Sequence, residues 1–140
     1  MRYLLDTNVL SEGAKAEPDA GVAAFLDATS PIELAISVLT AGEIRQGVAA
    51  LDSGGKKRRL ERWLSVDLFR QFAGRVFPVD EGVALAWGRL SAEGRRSGRR
   101  LPVIDGLLLA TAEVHGLTFV TRNERDCADR GVEILNPWTG

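Results

Sequence analysis

Short apolar runs alternate with longer amphipathic ones along this chain. Five short runs read as strands: RYLL (2–5), ELAIS (33–37), RVFPV (75–79), LTFVT (117–121) and VEILN (132–136). Between them the apolar positions fall three and four apart, the spacing of one helix face. The segment 18–28 predicts a helix with Pro18 in its first turn. Residues 40–51 carry Ala41, Ile44, Val48 and Leu51 on one face, and 56–73 repeat the pattern with Leu60, Trp63, Leu64, Leu68 and Phe72. Two more helices are expected at 81–95 and 103–115, the second stopped by Gly116. Strands that alternate with helices need crossover connections, which predicts a three-layer α/β/α sandwich around a central, mainly parallel five-stranded sheet. No repeat, low-complexity stretch or linker interrupts the 140 residues, so residues 1–140 read as a single domain.

Composition narrows the function. The chain is 45% apolar and 26% charged, the balance of a globular protein. Its longest apolar stretches, such as GLLLATA at 106–112, fall well short of the roughly 18 residues that a membrane span needs. Asp6 breaks the first apolar run before a signal-peptide core could form, so a cytoplasmic location and no membrane partner are expected. The single cysteine, Cys127, excludes an internal disulfide and a thiolate-rich zinc site. The single histidine, His115, excludes a two-histidine acid–base pair and a multi-histidine metal site. Any catalysis must therefore rest on carboxylates or hydroxyls.

The carboxylates have a pattern. In open parallel sheets the ligand crevice lies beyond the carboxyl ends of the strands, and Asp6 directly follows the first strand. Glu43 comes soon after the second strand, Asp105 falls in the first turn of the helix opened by Pro102, and Asp126 follows the fourth strand. Each has an ordinary explanation alone. Asp105 suits the positive end of a helix dipole, Asp126 could cap a turn, Thr121 and Asn123 are common turn residues, and Glu43 could face solvent. Four carboxylates at one end of a small sheet, however, repel one another and raise each other's pKa. Hard cations such as Mg2+ or Mn2+ resolve that conflict with oxygen ligands. The chemistry best matched to the set is metal-assisted hydrolysis of a phosphodiester.

Charge adds a candidate partner. Lys56, Lys57, Arg58, Arg59 and Arg62 form one basic cluster, and Arg95, Arg96, Arg99 and Arg100 a second. Together they are nine of the eighteen basic residues on a chain of net charge −1. One such cluster is usually a solvated face, whereas two raise the chance of a polyanionic partner. Trp63, Trp87 and Trp138 read as packing residues, because no aromatic interleaves the second cluster. His115 should offset a helix C-terminal dipole. Cys127 lies beside a carboxylate that would not activate a thiol, so it reads as packing too.

Four stretches, YLLDTNVLSE (3–12), AISVLTAGEIRQGV (35–48), LPVIDGLLLATAEVHGLTFVTRNERD (101–126) and VEILNPW (132–138), resemble the PIN-domain ribonucleases, and within them the VapC-type toxins of toxin–antitoxin pairs. The resemblance implies that Asp6, Glu43, Asp105 and Asp126 form an acidic Mg2+ or Mn2+ site, supported by Asn8, Thr121 and Asn123. It implies a sheet order of 3-2-1-4-5, an RNA substrate and a homodimer or larger assembly. It further implies inhibition by a cognate VapB-type antitoxin. Gly106 departs from the Ala usual after the third acid, and Cys127 from the aromatic usual after the fourth. Two other readings compete. A haloacid-dehalogenase-like phosphatase would want a second acid where Asn8 stands and a lysine outside the positions of Lys15, Lys56 and Lys57. A non-catalytic module would bind metal or RNA without cleaving it. For inhibition, an antitoxin arginine would fork across Asp6, Asp105 or Glu43, with the apolar helix faces at 40–51 and 56–73 forming the groove that receives its segment.

Overall fold

Tyr3, Leu4 and Leu5 make β1 (Tyr3–Leu5), the middle strand of the sheet in a computed structural model that describes residues 1–138. Its neighbours are β2 (Leu34–Ser37) on one side and β4 (Thr118–Val120) on the other. Outside them lie β3 (Val76–Phe77) and β5 (Ile134–Leu135), so the order is β3-β2-β1-β4-β5, every pairing parallel. The expected order is therefore observed. The strands are shorter than the apolar runs predicted: Glu33 belongs to a 3-10 turn over Pro31–Glu33, and the ends of 75–79 and 132–136 fall outside the ladders.

Because side chains alternate across a strand, the sheet separates two cores. Leu4, Ala35 and Phe119 pack with α6 (Glu81–Arg96) and α7 (Val103–His115), through Val83, Leu90, Leu108, Leu109 and Ala112. Leu5, Ile36 and Val120 face the opposite layer. That layer holds α1 (Thr7–Gly13), α2 (Ala20–Ala28), α3 (Val38–Ala49), α4 (Gly55–Arg62), a π-helical segment Trp63–Leu68, and α5 (Phe69–Gln71). A last short helix, α8 (Glu124–Cys127), follows β4. Among the described residues no helix is long and apolar enough to cross a membrane.

Three helices differ from expectation. Helix α1 was not foreseen; its seven residues bury only Val9, too few to display a period. Asp19 caps α2 by accepting from the Gly21 and Val22 amides, so Pro18 lies outside the helix instead of in its first turn. The helix expected over 56–73 changes to π geometry at Trp63–Leu68. Its anchors Leu60, Leu64, Leu68 and Phe72 are spaced by four, and each step of four overshoots an α-helical turn by about 40°. The wider π turns correct that drift, and Leu64, Leu68 and Phe72 all reach the same core.

Candidate active site

Asp6 ends β1 and starts α1. Its backbone N–H continues the ladder to Val120 O at 2.9 Å, while its carboxylate turns inward and is only 6% exposed. Oδ1 accepts from the Thr7 amide at 2.7 Å, and Oδ2 accepts from Thr121 Oγ1 at 2.7 Å and Asn8 Nδ2 at 3.3 Å. A buried carboxylate needs such donors. Even so, burial raises the Asp6 pKa; the Thr121 and Thr7 donors oppose the shift, and the Asp105 and Glu43 carboxylates add to it.

The other three acids join Asp6 through one set of hydrogen bonds. Thr7 Oγ1 donates to Glu43 Oε1 at 2.5 Å, so the residue after Asp6 holds the acid from α3. Thr121 Oγ1, besides donating to Asp6, accepts from the Asn123 amide at 3.0 Å. Asn123 Nδ2 then donates to Asp105 Oδ2 at 3.1 Å and to Asp126 Oδ2 at 3.2 Å, while Asn123 Oδ1 caps α8 by accepting from the Asp126 amide at 3.4 Å. One amide group thus lies within bonding reach of two carboxylates from separate helices. Asp105 occupies the first turn of α7, as expected, and its pKa is raised by burial first and by Asp126 second.

All four acids expected from the sequence therefore meet at the carboxyl ends of β1 and β4, together with Asn8, Thr121 and Asn123. The cap of α8 is Asn123, not Asp126. Thr7 was not singled out beforehand, since its hydroxyl reads as one more turn residue until α1 is seen to begin there. Among the described residues no three His, Cys, Asp or Glu side chains are gathered tightly enough to hold a metal ion directly. The donors are nonetheless all oxygens, and Asn8 Oδ1, on the side chain that meets Asp6, is buried without a hydrogen-bond partner. Cys127 is buried beneath the site with its thiol pushed up to about 12, by burial and then by Asp105, Asp6 and Asp126. That thiol is inert packing, as expected.

A cleft of about 840 Å³ opens from this site. Thr7 and Glu43 stand at one part of its lining, Ile44, Val48, Leu51, Leu60 and Trp63 supply apolar walls, and Lys56 and Arg59 of α4 complete it. The first basic cluster is thereby divided: Lys56 and Arg59 line the cleft, whereas Lys57 Nζ bonds Ala49 O at 3.4 Å and Arg58 and Arg62 are exposed outside the lining. In the second cluster Arg95, Arg96 and Arg100 are exposed on the end of α6 and the loop after it. Arg99 does not fit the expectation of a free phosphate contact. Its guanidinium is committed to Ala128 O at 3.1 Å and Arg125 O at 2.9 Å.

The two departures from the familiar pattern also have places. A Cβ on Gly106 would come within 2.9 Å of Trp87 Cδ1, 3.1 Å of Trp87 Nε1 and 3.2 Å of Leu101 Cδ2, so Trp87 takes the space a methyl would need. Trp63 and Trp138 pack on the second core, with the Arg122 guanidinium 5.2 Å over the Trp138 ring, and His115 at the end of α7 stacks on Phe77.

The family profile described as PIN domain matches residues 3–130. Over 135 residues the chain is 37% identical to the protein named Toxin FitB of Neisseria gonorrhoeae, spanning 96% of this chain and 97% of that one. It is also 37% identical, over 135 residues and 96% of each chain, to the protein named VapC ribonuclease Y4jK of Sinorhizobium fredii. The crystal structure of FitAcB from Neisseria gonorrhoeae superposes with a TM-score of 0.91 at 37% identity, covering 97% of this chain and 98% of that one.

Proposed function

The chain belongs to the PIN-domain family, and from that premise we propose that it is a metal-dependent endoribonuclease, the toxin of a toxin–antitoxin pair. The observation that carries this reading is the single hydrogen-bonded set that links Asp6, Glu43, Asp105 and Asp126. Names of relatives support it: one is a toxin and one a ribonuclease. The phosphatase alternative lapses with the family assignment.

Asp6 and Asp105 would be the principal ligands of Mg2+ or Mn2+, with Glu43 and Asp126 directly bound or acting through water. Magnesium keeps several waters in its shell, so it suits acids that are near one another without forming a tight cage. When bound, the ion supplies Lewis acidity at the phosphate and offsets charge on the attacked and leaving oxygens. The chain's own residues prepare that site. Thr121 and Asn8 fix the Asp6 rotamer, Thr7 fixes Glu43, and Asn123 holds Asp105 and Asp126 toward each other. Burial of Asp6 against the sheet excludes bulk water from the same oxygens. Lys56 and Arg59 would take RNA phosphates along the cleft. A VapB-type antitoxin would occupy that cleft in the inhibited complex, and the toxin would act as a homodimer within it.

Purified protein incubated with RNA tests the reading directly. Cleavage should require Mg2+ or Mn2+, stop in excess chelator, and fall by orders of magnitude in Asp6→Asn or Asp105→Asn. Full activity in chelator would end the metal-dependent reading. Metal-dependent RNA binding without cleavage would instead establish the non-catalytic module.

A further inference from the structure

Two arginines outside the acid set tie the loop after α6 and the segment around α8 to each other's backbone. Arg99 lies in the loop between α6 and α7, and Arg130 lies just beyond α8. Arg99 donates to Ala128 O at 3.1 Å and Arg125 O at 2.9 Å; Arg130 donates through Nε to Asp126 O at 2.6 Å and through Nη2 back to Arg99 O at 3.1 Å. Four carbonyls are thus taken by two planar guanidinium forks, a geometry that lysine cannot reproduce. The loop is itself drawn onto α6, since the Arg99 amide donates to Gly94 O at 2.8 Å. A Cβ on Gly94 would stand 2.6 Å from Arg99 O and 3.2 Å from Arg130 Nη1, so only glycine permits this approach.

We propose that Arg99 and Arg130 form a reciprocal clamp that positions the Asn123–Asp126 limb against Asp105, making them positioning residues for the nuclease site. The proposal rests on the nuclease reading above and deepens it. The limb is short: α8 is four residues long with Cys127 as its core anchor, and Asp129 after it takes a left-handed φ of 61°. Asn123 depends on where that limb sits, because its amide must reach Asp105 on α7 and Asp126 on α8 together. The clamp ties the backbone of α8 to the loop that leads into α7, which fixes the distance Asn123 must span. It also accounts for an arginine of the second basic cluster without assigning it to RNA.

The test uses the whole chain with Arg99→Lys and Arg130→Lys, which keep the charge and remove the fork. Each variant should melt close to the parent. Its kcat for RNA cleavage should fall about 10- to 100-fold, the scale of a small misplacement, with KM and salt dependence unchanged. Without divalent ion, the Asn123 side-chain amide signals should shift in NMR spectra, and the Asp126 and Ala128 amides should exchange faster. Unchanged Asn123 signals in both variants overturn the proposal whatever the rates do. So does a raised KM with a flatter salt dependence and an intact kcat, the signature of a phosphate contact. If the parent itself cleaves no RNA, the nuclease reading fails, and the NMR and exchange measurements still decide the clamp.

Discussion

Asp105 is half-buried in the first turn of α7, and burial followed by the Asp126 carboxylate lifts its pKa above the ordinary value. A carboxyl whose folded pKa is raised contributes stability that is complete below its unfolded pKa and is lost as pH rises through the folded one. Once ionised, the group is therefore a net cost to the metal-free protein. Asp105→Asn should abolish cleavage yet raise Tm measured in chelator, by roughly 3 °C per 1 kcal/mol of relieved repulsion. The gap between variant and parent should close as pH is lowered through the Asp105 titration. A variant that melts below the parent at pH 7 would show that the Asn123 bond outweighs the repulsion. Gly106 supports a second expectation at this scale. Gly106→Ala should destabilise by about 1–3 kcal/mol through overpacking against Trp87, and much less in a Trp87→Leu background, so the two changes should be non-additive in thermal melts. Equal costs in both backgrounds would place the strain elsewhere. The four acids were legible in the sequence not one by one but as a set, through charge type, a shared end of the sheet and the family resemblance. Thr7 and Arg99 were not. A hydroxyl in a DTN run and an arginine in a basic run look like their neighbours until the backbone shows what each one meets.

Elements were legible in proportion to the apolar surface they bury. The strand order places Asp6 at the centre of the sheet, and the long helices α6 and α7 carry enough core positions to declare themselves. Helix α1, with Val9 alone buried, does not. For the segment after α4, the four-residue spacing from Leu60 to Phe72 contained the π geometry, but a count of apolar matches reads it as ordinary helix. Charge on α4 shows the same limit, since five basic residues in sequence become two faces in space. Lys56 and Arg59 line the cleft with Leu60 and Trp63, and Arg58 and Arg62 do not. Reversing the first pair in K56E/R59E should raise KM for RNA and lower the slope of binding against salt by about one unit per lost phosphate contact. R58E/R62E should leave both unchanged. If the two double variants behave alike, RNA is attracted by the net charge of the helix and is not held along the cleft.

On the scale of the whole molecule, the cleft is one surface with two chemistries. Its walls are apolar, Lys56 and Arg59 make one part cationic, and Glu43 with the carboxylates behind it makes another part anionic. A polyanion and an inhibitory peptide would compete for such a surface for different reasons: RNA would seek the cations and a bound ion, the peptide the apolar walls. The occupant that satisfies every part is an amphipathic segment with an acidic residue toward Lys56 and Arg59 and a cation toward Glu43. Arginine suits the second position better than lysine, because its fork can engage two carboxylates and stays charged in a partly buried setting. Binding there would also relieve the mutual repulsion of Asp6, Glu43 and Asp105, so the inhibitor would bind the acids in the state that a metal ion would otherwise stabilise. The expected outcome is that Ala substitution of one antitoxin arginine restores RNA cleavage by the assembled complex. Trp63→Ala in this chain should instead weaken complex formation by removing an apolar wall. If every arginine variant of the antitoxin leaves the complex fully inhibited, inhibition acts through the walls alone, by blocking the approach of RNA.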